Sequence, residues 1–187
     1  MKKIFFLSII SLALFSSCQN KSKDSNNKIA EQIESLDVQL NDTVLGNNFE
    51  HIDFDNISHL TKAQYDSLQL QKVSGLEGYD ISYLSMGDVL LQNTNGRILT
   101  IQVITDGEIT EYLLSYDNQG NLIDNMIVAY EDMVEYYSHV STSINSNKVT
   151  VQTINYTYSD PQGNPVELSD TAIVKYQITP EFKFITD

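Results

Sequence analysis

The sequence has no tryptophan, a single cysteine, three prolines and only eleven basic residues against twenty-five acidic ones. Each shortage excludes something. Cys18 alone closes no intramolecular disulfide and builds no thiolate metal site, so the fold must stand on its core. A formal net charge of −14 repels phosphate backbones and anionic headgroups. It therefore disfavours nucleic acid, favours cationic partners and keeps the chain soluble. No His-Glu-x-x-His pair, Gly-x-Ser-x-Gly elbow or phosphate-binding glycine loop occurs, and the histidines are His51, His59 and His139 alone. These absences predict a noncatalytic protein that uses no cofactor.

What is present begins with Lys2 and Lys3, followed by an apolar run from Ile4 to Phe15 that only Ser8 and Ser11 interrupt. Ser16 and Ser17 then lead to Cys18. Charged, apolar and small residues in that order read as a secretory signal. The run is shorter than the roughly 20 residues that span a bilayer, so a removed leader is expected rather than an anchor helix. The stretch Leu14-Phe15-Ser16-Ser17-Cys18 resembles a bacterial lipobox, with Phe15 where the pattern usually carries leucine. The resemblance covers the leader region only and is closest in style to small lipoproteins of Bacteroidetes-type bacteria. It implies cleavage before Cys18, lipidation of Cys18 and membrane attachment through that lipid. Gln19 stands where some systems place an inner-membrane retention aspartate, so the resemblance implies the outer membrane of a Gram-negative envelope. Losing Lys2 and Lys3 with the leader takes the formal net charge to −16.

Four segments follow: a signal over 1–17, a lipidated cysteine and polar tether over 18–28, a helical segment over 29–78 and a β-domain over 79–187. The tether has no apolar residue to offset the entropy of ordering. Ile29, Ile33, Leu36 and Leu40 recur at helical spacing. Thr61 and Gln64 form a capping-box pattern, with Leu60 and Tyr65 placed as a hydrophobic staple, so a helix is expected from there to about Lys72.

Beyond Tyr79 short alternating apolar runs are divided by turn residues, the pattern of antiparallel strands. Strands are expected near 80–86, 88–93, 97–105, 108–117, 121–131, 134–145, 148–158, 166–179 and 181–186. Asn95-Gly96 and Asp106-Gly107 predict tight turns using positive φ, and Ser146-Asn147 predicts a third. Val166, Leu168, Ala172, Val174, Tyr176 and Ile178 share one face, as do Val134, Tyr136, Val140 and Ile144. One dry and one wet face is the expectation. The predicted fold is mainly β: an up-and-down meander of about eight or nine strands, forming a barrel, half-barrel or curled sheet, with one or two short N-terminal helices.

Several constellations could carry chemistry. Tyr116-Asp117-Asn118-Gln119-Gly120-Asn121-Leu122 resembles the Tyr-Asp repeat motif of large β-rich shell proteins, and Tyr158 to Asn164 repeats it imperfectly. Both are expected to be hairpin tips. A calcium loop at Asp117 to Asp124 fails because Gln119 sits where an acid is wanted. His51, Asp53 and Asp55 alternate, with His59 nearby, so an extended backbone would aim imidazole and carboxylates to one side as zinc ligands. The same alternation describes an edge strand with Ile52 and Phe54 turned inward, and no metal is expected. Glu131, Asp132 and Glu135 are paired carboxylates of the acid–base type, read as solvated surface. Tyr136, Tyr137, Tyr156 and Tyr158 are the candidate binding residues, because exposed tyrosine is an efficient contact for proteins and sugar rings. The leading expectation is a lipid-anchored envelope protein that binds a macromolecular partner. A β-barrel for an apolar or sugar ligand and an acidic inhibitor or immunity-type protein are the alternatives.

Overall fold

A computed structural model describes residues 38–47, 49 and 52–187. The leader, Cys18, the tether, His51 and the helix expected over Ile29 to Leu36 lie outside the described residues. The described residues form a nine-stranded antiparallel sheet: β1 (Leu40–Leu45), β2 (Leu84–Gln92), β3 (Gly96–Ile104), β4 (Glu108–Asp117), β5 (Leu122–Asp132), β6 (Ser138–Ser146), β7 (Lys148–Ser159), β8 (Pro165–Ile178) and β9 (Phe184–Thr186). From β2 to β9 each strand neighbours the next, and no pairing joins β2 to β9. The meander is therefore open, a curled sheet rather than a barrel.

Leu40 is not helical. It opens β1, which pairs with β6 from Leu40 opposite Ser146 to Leu45 opposite Thr142. β5 and β6 pair only at Tyr130 opposite Val140 and Glu131 opposite His139. The sheet thus forks, with β1 held along the part of β6 that β5 has left. Gly46 sits in the crotch at φ +85, where an added Cβ would stand 2.7 Å from the Val140 carbonyl oxygen and 3.0 Å from the Ala129 Cβ. Only glycine combines that left-handed backbone with so close an approach.

The strands expected over 80–86 and 88–93 are one strand, β2, whose register shifts between Met86 and Val89 and again before Leu91. The capping box is formed as predicted: the Gln64 N–H donates to Thr61 Oγ1 and the Thr61 N–H donates to Gln64 Oε1 at 2.9 Å. Helix α1 (Lys62–Ser67) is shorter than expected, because Gln69 turns left-handed at φ 54 and the chain continues as a 3-10 turn over Leu70–Lys72. Both expected turns at Asn95-Gly96 and Asp106-Gly107 reverse the chain, yet neither glycine has positive φ. Gly96 is needed for proximity instead, since a Cβ there would lie 2.2 Å from the Tyr116 carbonyl oxygen.

One dry and one wet face describes the outer strands poorly and the centre not at all. β3 and β4 are buried on both sides. On one side Leu99, Ile101, Val103, Tyr112, Leu114 and Tyr116 lie under the segment carrying Leu60, Leu68, Leu70, Val73 and Leu76. On the other Ile98 and Leu113 meet Leu40, Leu45, Val128, Ile144, Val149, Ile178 and Phe182. Residues from β1 and β3 to β8 share that second cluster, which requires the sheet to wrap on itself. β9 completes the curl, because the Phe184 N–H donates to Asp124 of β5 at 2.9 Å. The far parts of β7 and β8 leave this core: Leu168 and Val174, expected on the dry face, are exposed, and Ile173 on the opposite face is exposed as well.

Candidate functional site

At the fork an open cleft of about 820 Å³ is lined by Gly46, Asn47, Phe49, Phe54, Glu131, Met133, Tyr136, Ser138, His139, Tyr156 and Tyr158. Two loops make its walls. The first leaves β1 through Gly46, whose left-handed backbone turns Asn47 and Phe49 over β6. It continues to a 3-10 turn at Phe54–Asn56, held by Asp53, which accepts from the Asp55 N–H at 3.2 Å and the Asn56 amide at 2.7 Å.

The second wall is the loop from β5 to β6. Asp132 organises it by accepting from the backbone N–H groups of Val134 (3.1 Å), Glu135 (2.9 Å) and Tyr137 (3.3 Å). Those donors hold its carboxyl below the usual range. Tyr136 stands in the left-handed region at φ 55, which ends the expected strand 134–145 at its N-terminal side and moves its start to Ser138. Val134 and Tyr136 therefore do not share a face with Val140 and Ile144.

All four candidate tyrosines come together here. The Tyr156 and Tyr158 rings lie 6.4 Å apart and 13° from parallel, while Tyr137 packs on Tyr158 at 5.8 Å. The Tyr158 hydroxyl donates to the Tyr136 carbonyl oxygen at 3.1 Å, tying the loop to β7. Tyr136, Tyr156 and Tyr158 line the cleft, and Tyr137 buttresses it from behind. Glu131 and His139 are hydrogen-bonded cross-strand neighbours on its floor. With five aromatic rings, one methionine and one carboxylate but no lysine or arginine, the lining suits a cationic or amphipathic group.

The other constellations resolve differently. Asp53 caps a 3-10 turn and Asp55 lies within it, so they do not alternate along a strand, and His59 is exposed in a single bridge to Ser85. Among the described residues no three His, Cys, Asp or Glu side chains gather as a metal site. Asp132 is a loop cap and Glu131 a histidine partner, so the expected carboxylate set is divided between structural tasks. Asp117 and Asp160 make matching turns. Each accepts from the second following N–H at 2.9 Å and from the backbone and side-chain amide of the fourth following asparagine at 2.8 Å. Gly120 and Gly163 take φ +84 and +83 in those turns. The carboxylates are occupied by their own loops, as hairpin tips require.

Sequence reasoning missed Phe49, Phe54 and Met133, which lie on loops without periodicity. No family model, curated protein or solved structure matches the chain. Its cleft must be read from its own chemistry.

Proposed function

We propose that this is a noncatalytic, lipid-anchored protein of the bacterial envelope, attached through Cys18, whose tyrosine-lined cleft binds a cationic segment of a protein partner. The observation that carries the reading is the convergence of Tyr136, Tyr156, Tyr158, Phe49 and Phe54 around the Glu131–His139 pair, with no lysine or arginine in the lining. Aromatic faces and a carboxylate attract guanidinium or ammonium groups. The net charge adds long-range attraction for a basic partner, which raises the encounter rate. An arginine-rich peptide titrated against the full chain tests it. Binding should weaken with added salt and fall about tenfold in Tyr156→Ala or Tyr158→Ala, as befits loss of an aromatic contact of roughly 1–2 kcal/mol. Affinity that ignores those tyrosines, or turnover of a substrate by the purified protein, overturns the reading.

A further inference from the structure

Arg97 is the one arginine of a sequence that carries twenty-five acidic residues, yet it pairs with none of the described ones. The ion pairs among the described residues are Lys62 with Asp66 and Glu131 with His139. Arg97 stands second in β3, opposite Gln92 of β2 and Tyr116 of β4. Its guanidinium lies 4.6 Å from the centre of the buried Tyr116 ring, which holds it against the sheet. Nε is buried and has no acceptor among the described residues. Covering Tyr116 needs only a long stem, which lysine or methionine would supply. A half-buried guanidinium lacking both a counter-charge and a full set of acceptors is costly to keep for packing alone.

The same guanidinium lines an open cleft of about 440 Å³ between the β2–β3 turn and the β4–β5 hairpin tip, within the size range of small-molecule sites. β5 runs from that tip to the Asp132 loop, so this cleft and the tyrosine cleft stand at opposite ends of the strand. Side-chain amides ring it: Gln92 and Asn93 from the turn, Asn118 and Gln119 from the tip. Asn93 accepts through its carbonyl oxygen from the N–H groups of Asn95 (2.8 Å) and Gly96 (3.2 Å), so its NH2 is the end left for a ligand. Asp117 is the acid of the lining, but its oxygens already accept from Gln119 and Asn121 of its own turn. Behind the tip the Lys72 ammonium donates to Gln69 (2.6 Å), whose amide donates to the Gly120 carbonyl oxygen (3.3 Å), adding positive charge on that side.

We propose that this cleft binds a small hydroxylated carboxylate of the sugar-acid kind, with Arg97 holding the carboxylate and the amides holding hydroxyls. A guanidinium fork matches a planar carboxylate bidentately, and the aromatic face beneath keeps the fork in place. Asp117 and the net charge of −14 penalise a phosphate dianion more than a singly charged acid. Amides both donate and accept, as sugar hydroxyls do, so they suit neutral polar groups around one anionic anchor. Occupancy here is independent of the tyrosine cleft.

Heteronuclear NMR of the full chain carrying Cys18→Ser gives the test, with glucuronate as probe and glucose, acetate and inorganic phosphate as controls. Glucuronate at millimolar concentration should shift the Arg97 Nε–H signal and the Gln119 and Gly120 amide signals saturably. Glucose should shift nothing, and acetate and phosphate should bind at least about tenfold more weakly. Arg97→Lys keeps the charge and the stem but loses the fork, so glucuronate affinity should fall about tenfold. Asn118→Ala, on the exposed tip, should weaken binding about threefold with an unchanged melting temperature. An Arg97 Nε–H signal indifferent to glucuronate overturns the proposal. So does affinity that survives Arg97→Lys, or phosphate binding as tightly as glucuronate, which would reveal an adventitious ion only. Acetate equalling glucuronate removes the hydroxyl contacts and overturns the sugar-acid assignment.

Discussion

The phenol of Tyr116, fully buried in β4, donates to the backbone carbonyl of Leu68 at 2.8 Å across 48 residues of sequence. Its ring carries the Arg97 guanidinium 4.6 Å from the centroid, and burial pushes the hydroxyl far above its ordinary pKa. This one side chain closes the end of α1 and pins the helical segment to the sheet. Tyr116→Phe keeps the volume and leaves the Leu68 carbonyl without its donor. The expected loss is about 1–3 kcal/mol in urea unfolding with an unchanged m-value.

Glu111 lies on the inner face of β4 at 4 % exposure, beside Thr100 and Gln102. Desolvation raises its pKa, helped by the charge of Asp88. An acid whose folded pKa is raised favours the folded state below the unfolded pKa and loses that contribution as pH rises through the folded pKa. Glu111→Gln should therefore raise Tm near pH 7 by about 2–4 °C, and the gap should close on acidification below the ordinary carboxylate range. Melting curves at pH 4 and pH 7 measure it.

For the hairpin tips the sign reverses. The Asn121 amide and neighbouring N–H groups hold the Asp117 carboxyl below its usual range, and Asn164 does the same for Asp160. A depressed acid contributes stability above its unfolded pKa and loses it as pH falls through the folded value. Asp117→Ala should lower Tm at neutral pH, with the difference from the parent shrinking in strong acid. Asp160→Ala should follow the same profile, because the geometry is the same.

Gly46→Ala would put a methyl group 2.7 Å from the Val140 carbonyl oxygen and force an L side chain into positive φ. The expected cost is about 2–4 kcal/mol, combining backbone strain with the local shift needed for space. Since Gly46 also lines the cleft, binding of the arginine-rich peptide should weaken in the same variant at temperatures where it remains folded.

Much of the architecture is written in local signals. Thr61 and Gln64 announce their cap, and Asp117 with Gly120 announces a hairpin tip, because each depends on donors within four residues. β1 was illegible: in Leu40-Asn41-Asp42-Thr43-Val44-Leu45 the alternation fails, and only pairing with β6 makes a strand of it. The run Ile98-Leu99-Thr100-Ile101 did carry a sign of two-sided burial, since strands covered on both faces lose their alternation. Within the cleft, tyrosine was legible as a residue type and Tyr156-x-Tyr158 as a shared face. Tyr136 was misplaced because nothing local marks its left-handed backbone, which the Asp132 cap imposes. Phe49 and Phe54 reach the site only through the turn at Gly46.

The inner face of β4 receives a late visitor. Ser115 donates from its hydroxyl to the carbonyl of Phe182 at 2.6 Å, 67 residues onward, and the Phe182 ring lies over Gly96. A ribosome delivers Ile98 and Leu113 long before it delivers Phe182. Until then Leu40, Leu45, Val128, Ile144 and Val149 cover that underside without Ile178 and Phe182, and premature termination within β8 leaves it incompletely closed. Closure of this core consequently waits on long-range contacts with β8 and the residues after it.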